Sequence, residues 1–248
     1  TIKIIGEEAG LEAQGAFVYD SKKSGARTIS HLRFGPGPIR SAYLISEADF
    51  VGVHQFGFFE RFAVLEPARR GATVLINAPY PAAEVWDRLP EEAQRILRER
   101  EIELWTIDAY ALANELELGP RINTIMQACF FALTDILPQA EAMDHVRDAI
   151  RSTYGGRGEA VVRRNLAAVD AAPSRLERVD IPTEGPYAPP RPPAVDVPAP
   201  RFVQDVTSVL LADRGDELPV SALPEDGTWP VGTTKYEKRN LAQEIPVW

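Results

Sequence analysis

Phe50-Val51-Gly52-Val53-His54 and Thr73-Val74-Leu75-Ile76 decide the fold. Both runs are almost continuous in apolar, strand-forming residues. That is the pattern of strands covered on both faces, whereas a strand with one wet face alternates. Further strand-like runs fall at residues 2–5, 16–19, 28–34 and 104–107. Helical patterns lie between them, so the chain is expected to form an α/β domain with a largely parallel sheet flanked by helices. Phe17 and Tyr19 alternate on one side, and Ile29 and Leu32 sit in the next run. This early pair reads as a hairpin added antiparallel at one edge of the sheet.

The helices are marked by their own chemistry. Over residues 90–100, Pro90 suits a helix start, Glu91 and Glu92 complement the positive end, and Arg98 and Arg100 the negative end. Gly119-Pro120 stops one helix and opens another. In that next helix Ile122, Ile125, Met126, Cys129, Phe130 and Leu133 repeat at helical spacing, a stripe expected to lie against the sheet. Two more helices fit residues 139–153 and 157–171. After Ile181 come Pro182, Pro186, Pro189, Pro190, Pro192, Pro193, Pro198 and Pro200, eight of the 21 prolines. Such density excludes helix and central strand and predicts an extended connector. A short helix fits residues 202–211, and the rest is too poor in apolar residues to fold alone. The expected division is therefore 1–175 for the α/β domain, 176–200 for the connector and 201–248 for a small irregular segment.

Composition narrows the functional classes. A chain of 248 residues, 45% hydrophobic and 25% charged, is an ordinary globular protein with one sizeable core. Its longest apolar runs fall far short of a membrane span. The net charge of -9 argues against a nucleic-acid surface. The single cysteine, Cys129, excludes an internal disulfide and is compatible with a reducing cytoplasm. It also excludes an iron–sulfur cluster held by this chain alone, since such clusters take about four thiolates. His31, His54 and His145 have no His or Cys at a metal-binding interval, so they read as structural. Both termini look cut, because Thr1-Ile2-Lys3-Ile4-Ile5 starts inside an apolar run and Glu244-Ile245-Pro246-Val247-Trp248 ends without a tail.

Tyr19-Asp20-Ser21-Lys22-Lys23-Ser24-Gly25 places two ammonium groups, two serine hydroxyls and a glycine at the hairpin tip. This chemistry suits phosphate, though a solvated turn has the same composition. Asn123, two residues past Arg121, falls in the first turn of its helix, where unpaired amides favour an anion or a carbonyl-rich ligand; it also suits a plain helix cap. Asn165 sits at the edge of the stripe Val162, Leu166 and Val169, where an amide needs partners, whether in packing or in a ligand.

Taken together, YDSKKSG with TISHLRFGPGPIRSAYLI, then ADFVGVHQF, GPRINTIMQACFFAL and KYEKRN resemble the pyruvate:ferredoxin (flavodoxin) oxidoreductase family. The resemblance is to its central coenzyme A-binding domain and the segment that follows, which carries Glu237-Lys238-Arg239. It runs in register along nearly the whole chain, the proline-rich stretch excepted. The resemblance implies that Lys22, Asn123 and Asn165 contact coenzyme A, with Lys23 and Arg121 as weaker candidates, and that no residue here is catalytic. It implies thiamine pyrophosphate, magnesium and 4Fe–4S clusters elsewhere in the full enzyme, and a thiamine-binding region before this segment with a ferredoxin-like domain after it. The partners implied are those other domains or subunits, ferredoxin or flavodoxin, and a second copy in a homodimer, in the cytoplasm. An interdomain scaffold with marginal coenzyme A contacts stays open, as does a relative acting on another 2-oxoacid or passing electrons to NADP. A glycine-rich stretch that contributes to the site in the family is expected just before Thr1.

Overall fold

The computed structural model describes residues 1–8, 10–19, 27–195 and 197–237. A short helix α1 (Ile2–Glu8) precedes a hairpin of β1 (Glu12–Tyr19) and β2 (Thr28–Gly35). Then come β3 (Ala48–Val53), β4 (Ala68–Asn77), α2 (Ala82–Arg88), α3 (Glu91–Glu99) and β5 (Glu103–Ile107). Four helices follow: α4 (Ala109–Glu115), α5 (Asn123–Ala132), α6 (Gln139–Tyr154) and α7 (Glu159–Ala171). A two-residue strand β6 (Glu177–Arg178) leads into the connector. Beyond it, a π-helical turn (Val203–Thr207) runs into α8 (Ser208–Leu211).

The main sheet has the order β3-β4-β5-β6, parallel through β5 and antiparallel at β6. Its residues explain the unbroken apolar runs. Val74 and Ile76 face one core with Val53, Leu97 and Leu104, under α2 and α3. Leu75 points the other way, into a second core with Ile107, Ile125, Met126, Val146 and Val169. Alternate residues of β4 thus feed both layers, each buried aliphatic side chain contributing about 1.5–3 kcal/mol. The expected α/β class and mostly parallel sheet are what the chain adopts. The stripe of α5 enters the second core, and Phe130 sets its ring edge-on to Phe50 of β3 at 5.0 Å and to Phe34 of β2 at 6.4 Å.

Two local expectations are corrected. Residues 2–5 are helix, not strand. Ile4 and Ile5 are buried in the second core, and that burial outweighs the weak strand preference of β-branched residues. Gly15 of β1 makes the close approach possible, because a Cβ there would meet Ile2 Cδ1 at 2.6 Å. The hairpin, moreover, forms its own two-stranded sheet instead of extending the edge of the main one. Pro36 and Pro38 follow β2 directly and carry no N–H to continue a ladder, so pairing ends at Gly35. β6 was not visible in the sequence, since Glu177 and Arg178 show neither apolar character nor alternation.

The proline-rich connector lies on α3 by a series of side-chain bonds to its backbone. Buried Gln94 accepts from Ala188 N at 2.6 Å and donates to Trp86 O at 2.7 Å. Arg98 donates to the carbonyls of Pro182 at 2.7 Å and Gly185 at 3.1 Å. Its guanidinium also lies 4.5 Å from the ring centroid of Tyr187. Glu92 accepts from Arg191 N at 3.2 Å. An extended chain has no internal hydrogen bonds, so donors and acceptors of a neighbouring helix fix its path.

Candidate functional site

The N-terminus of α5 is presented by a strained turn. Past α4 the chain takes positive φ at Glu117 (53°) and Gly119 (62°), and Pro120 then redirects it into α5. Ile122 occupies the cap position and makes no side-chain cap bond, so no side chain there satisfies the first amides of the helix. Arg121 and Asn123 are exposed beside them, while Thr124 is half-buried.

α7 holds this turn from behind. Asn165 is 5% exposed, donates from Nδ2 to Val161 O at 2.9 Å, and accepts from the Thr124 hydroxyl at 3.5 Å. The neighbouring Arg164 forms an ion pair with Glu117 in the strained turn. Thr124, the residue after Asn123, thereby ties the start of α5 to Asn165 in α7. The sequence reading missed Thr124; its place one position after Asn123 at a helix start is the only signal it gave. Lys22 and Lys23 lie outside the described residues, as do Lys238 and Arg239.

The opposite face of α7 borders a cleft of about 540 Å³ against α6, lined among others by Arg151, Glu159, Val162, Arg163, Leu166 and Asp170. Arg121, Asn123 and Asn165, the described residues of the predicted set, are not among those that line it.

The remaining reactive groups are occupied structurally. His31 Nδ1 accepts from Ile45 N at 3.2 Å, and burial, aided by nearby Arg33, keeps its pKa below the ordinary value. Burial likewise lowers His54, whose carbonyl accepts from Asn77 Nδ2 at 3.0 Å. Asn77, itself buried, accepts from Ala109 N at 2.9 Å and so joins the ends of β3 and β4 to the start of α4. The Cys129 thiol sits in the apolar core, where burial pushes it up to about 12, far from a reactive thiolate. Among the described residues no group of His, Cys, Asp and Glu is placed to hold a metal ion, and no helix is long and apolar enough to cross a membrane.

Residues 2–174 match the family model described as pyruvate ferredoxin/flavodoxin oxidoreductase, and residues 189–242 match a second model described as a domain of unknown function. Across its whole length the chain is 50% identical over 250 residues to a pyruvate-flavodoxin oxidoreductase of Rhodospirillum rubrum. It is also 50% identical to a probable pyruvate-flavodoxin oxidoreductase of Escherichia coli, and 44% identical to a pyruvate:ferredoxin oxidoreductase of Moorella thermoacetica. It spans only 21% of the length of each of these proteins. Among solved structures, a pyruvate oxidoreductase subunit of Thermotoga maritima superposes with a TM-score of 0.53 at 17% identity, covering 71% of this chain and 86% of the subunit. A 2-oxoglutarate:ferredoxin oxidoreductase of Magnetococcus marinus, with 2-oxoglutarate, coenzyme A and succinyl-CoA bound, gives 0.51 at 16% identity, covering 77% of this chain and 30% of that one. At such identities these two structures establish the shared fold.

Proposed function

The chain belongs to the pyruvate ferredoxin/flavodoxin oxidoreductase family, and from that premise we propose that it is the coenzyme A-binding part of an enzyme that converts pyruvate and coenzyme A to acetyl-CoA and carbon dioxide, with electrons passed to ferredoxin or flavodoxin. The observation that carries this reading is the junction at the start of α5. There, exposed Asn123 and Arg121 flank helix amides that have no side-chain cap, and Thr124 in the same first turn bonds the buried amide of Asn165. That combination suits a long ligand with phosphates at one end and an amide-rich arm.

In this reading Lys22, with Lys23 beside it, takes a phosphate as a rotatable point charge. Arg121 supplies a second cation near the helix start, and Asn123 hydrogen-bonds the nucleotide or pantetheine part. The bond from Thr124 to Asn165 is long at 3.5 Å, and a carbonyl oxygen has two acceptor sites. Asn165 Oδ1 therefore keeps capacity for a ligand donor while its Nδ2 stays tied to α7. The chain contributes no bond-making group. Its work is to hold the nucleotide end so that the thiol is presented in a fixed place, which makes acyl transfer effectively unimolecular.

The full enzyme would carry thiamine pyrophosphate, magnesium and 4Fe–4S clusters on other domains; Cys129, alone and buried, suits none of them. The proposed division assigns 1–175 to coenzyme A, 176–200 to the connector and 201–248 to a segment preceding a ferredoxin-like domain, in a cytoplasmic homodimer. A docking role for the same chain is favoured by the far end of the hairpin, where Phe17 is 51% and Tyr19 70% exposed and their rings stack. Such rings suit burial against another domain of the enzyme.

Equilibrium titration of coenzyme A into the full-length enzyme, in wild-type form and with Asn123→Ala and Lys22→Ala, tests the reading. Weaker binding in both variants is expected. Unchanged binding in both would leave the scaffold reading in its place.

A further inference from the structure

The cleft between α6 and α7 has an apolar floor. Val162, Leu166 and Ala167 of α7 form it, each half-buried. Val162 and Leu166 also pack on the second core, which fixes the floor in place. The cleft follows α7 from Glu159, its first residue, to Asp170 near its end. That stretch is about 16 Å of helix, roughly three turns.

The charges around this floor divide into two kinds. Every charged side chain of α6 has a partner. Glu141 lies 3.8 Å from His145, Arg147 bridges Asp144 at 2.6 Å and Asp170 of α7 at 2.7 Å, and Arg151 holds Asp148 at 2.7 Å. In α7, Arg164 is paired with Glu117. Glu159 and Arg163 are the exceptions. Both are exposed, both line the cleft, and neither forms an ion pair or hydrogen bond among the described residues. Their spacing makes this informative. A glutamate four positions before an arginine is the favourable order for a pair on one helix, and Glu84 with Arg88 and Glu91 with Arg95 close in that order. Glu159 and Arg163 instead leave a charge of each sign facing outward beside apolar surface.

We propose that this cleft receives an amphipathic helix from another part of the same polypeptide, with its apolar face on Val162, Leu166 and Ala167, an acid toward Arg163 and a base toward Glu159. A groove between two helices, three turns long, has the shape that a third helix fills, ridge into groove. The supply of chain argues for this occupant, since the relatives that this chain matches are spanned to only 21% of their length and the remainder is available to cover it. A second copy meeting the cleft with its own presents another groove, and two grooves do not fill one another. A polyphosphate is disfavoured, because the carboxylates of Glu159 and Asp170 line the same cleft. The inference does not rest on the coenzyme A reading, and the cleft shares none of that site's described residues.

Two variants of the full-length enzyme test it. Arg163→Cys places a thiol at a position that this chain alone leaves exposed. Covered by a helix, it should react with a maleimide at least about tenfold more slowly than free cysteine. Arg163→Lys keeps the charge and offers an amine to any carboxylate in contact with it. A water-soluble carbodiimide, which joins only groups that touch, should link the introduced lysine to an aspartate or glutamate outside the 248 residues of this chain. Peptide mass spectrometry reads that link. A thiol as reactive as free cysteine means an open cleft and overturns the proposal. So does the absence of any link from the introduced lysine, or a link to Glu159 alone. A link to a second copy, recognised in enzyme assembled from heavy-isotope-labelled and unlabelled subunits, would make the cleft a subunit contact and overturn it too. Neither readout involves coenzyme A, so failure here leaves the coenzyme A reading untouched.

Discussion

The hydroxyl of Thr124, in the first turn of α5, donates to Oδ1 of Asn165 in the middle of α7. This bond links two helices that meet only in the folded chain, and it couples the placement of exposed Asn123 to a buried amide. Asn165→Ala should therefore act twice. Unpairing Thr124 should cost about 1–2 kcal/mol of stability, readable as a lower urea midpoint. The KM for coenzyme A should rise as the helix start loosens. If Asn165→Ala changes stability alone, Asn165 belongs to packing and not to the site.

Lys22→Ala in the full-length enzyme should weaken coenzyme A binding by on the order of 1–3 kcal/mol, the range of a charge-assisted hydrogen bond. Pyruvate-dependent decarboxylation in a single turnover should be much less affected, because the proposed function puts that step on another domain. Rapid-quench measurement of carbon dioxide with and without coenzyme A distinguishes the two steps. An equal loss in both would place Lys22 elsewhere in the enzyme's working.

His31 predicts a particular pH dependence. Its Nδ1 accepts the Ile45 amide only while unprotonated, and burial holds its pKa in the folded chain below the ordinary 6.5. The unfolded chain thus takes up a proton first as pH falls. The stabilisation is complete above about 6.5, declines as pH falls toward the folded value and is lost below it. Urea midpoints between neutral and mildly acid pH should therefore fall, and His31→Gln, which keeps an acceptor that does not titrate there, should flatten the curve. A wild-type slope retained in that variant would assign the effect elsewhere.

Gln94→Ala should release the connector without disturbing the sheet. The substitution leaves Ala188 N and Trp86 O without their partner, a loss of about 1–3 kcal/mol. Hydrogen exchange should quicken over residues 184–191, while peptides from β4 and β5 keep wild-type protection. If exchange spreads equally through both, the connector is part of the same cooperative unit as the core.

The class of fold was legible in the sequence because burial on both faces leaves its mark residue by residue. Phe50-Val51-Gly52-Val53 and Val74-Leu75-Ile76 admit no wet face, and the spacing from Ile122 to Leu133 admits only a helix with one buried side. Asn123 and Asn165 were legible as residue types at helix positions where an unpaired amide has consequences. Residues 2–5 were misread, because an isoleucine-rich run satisfies strand and helix alike until a neighbour such as Gly15 supplies the surface it packs on.

What the sequence by itself determined is every property set by local periodicity: two-faced strands, helix ends, the proline-rich break and the buried state of Cys129. Only the tertiary structure decided which distant groups meet. Thr124 with Asn165, Arg98 with the carbonyls of the connector, and Arg27 with Phe62 and Asp213 are each partners across long stretches of chain. Helix and strand periods fix the direction of a side chain on its own element, over a few residues. The meeting of two elements depends on how whole faces pack, and hydrophobic burial, being non-directional, brings faces together without naming the polar pairs at their rims.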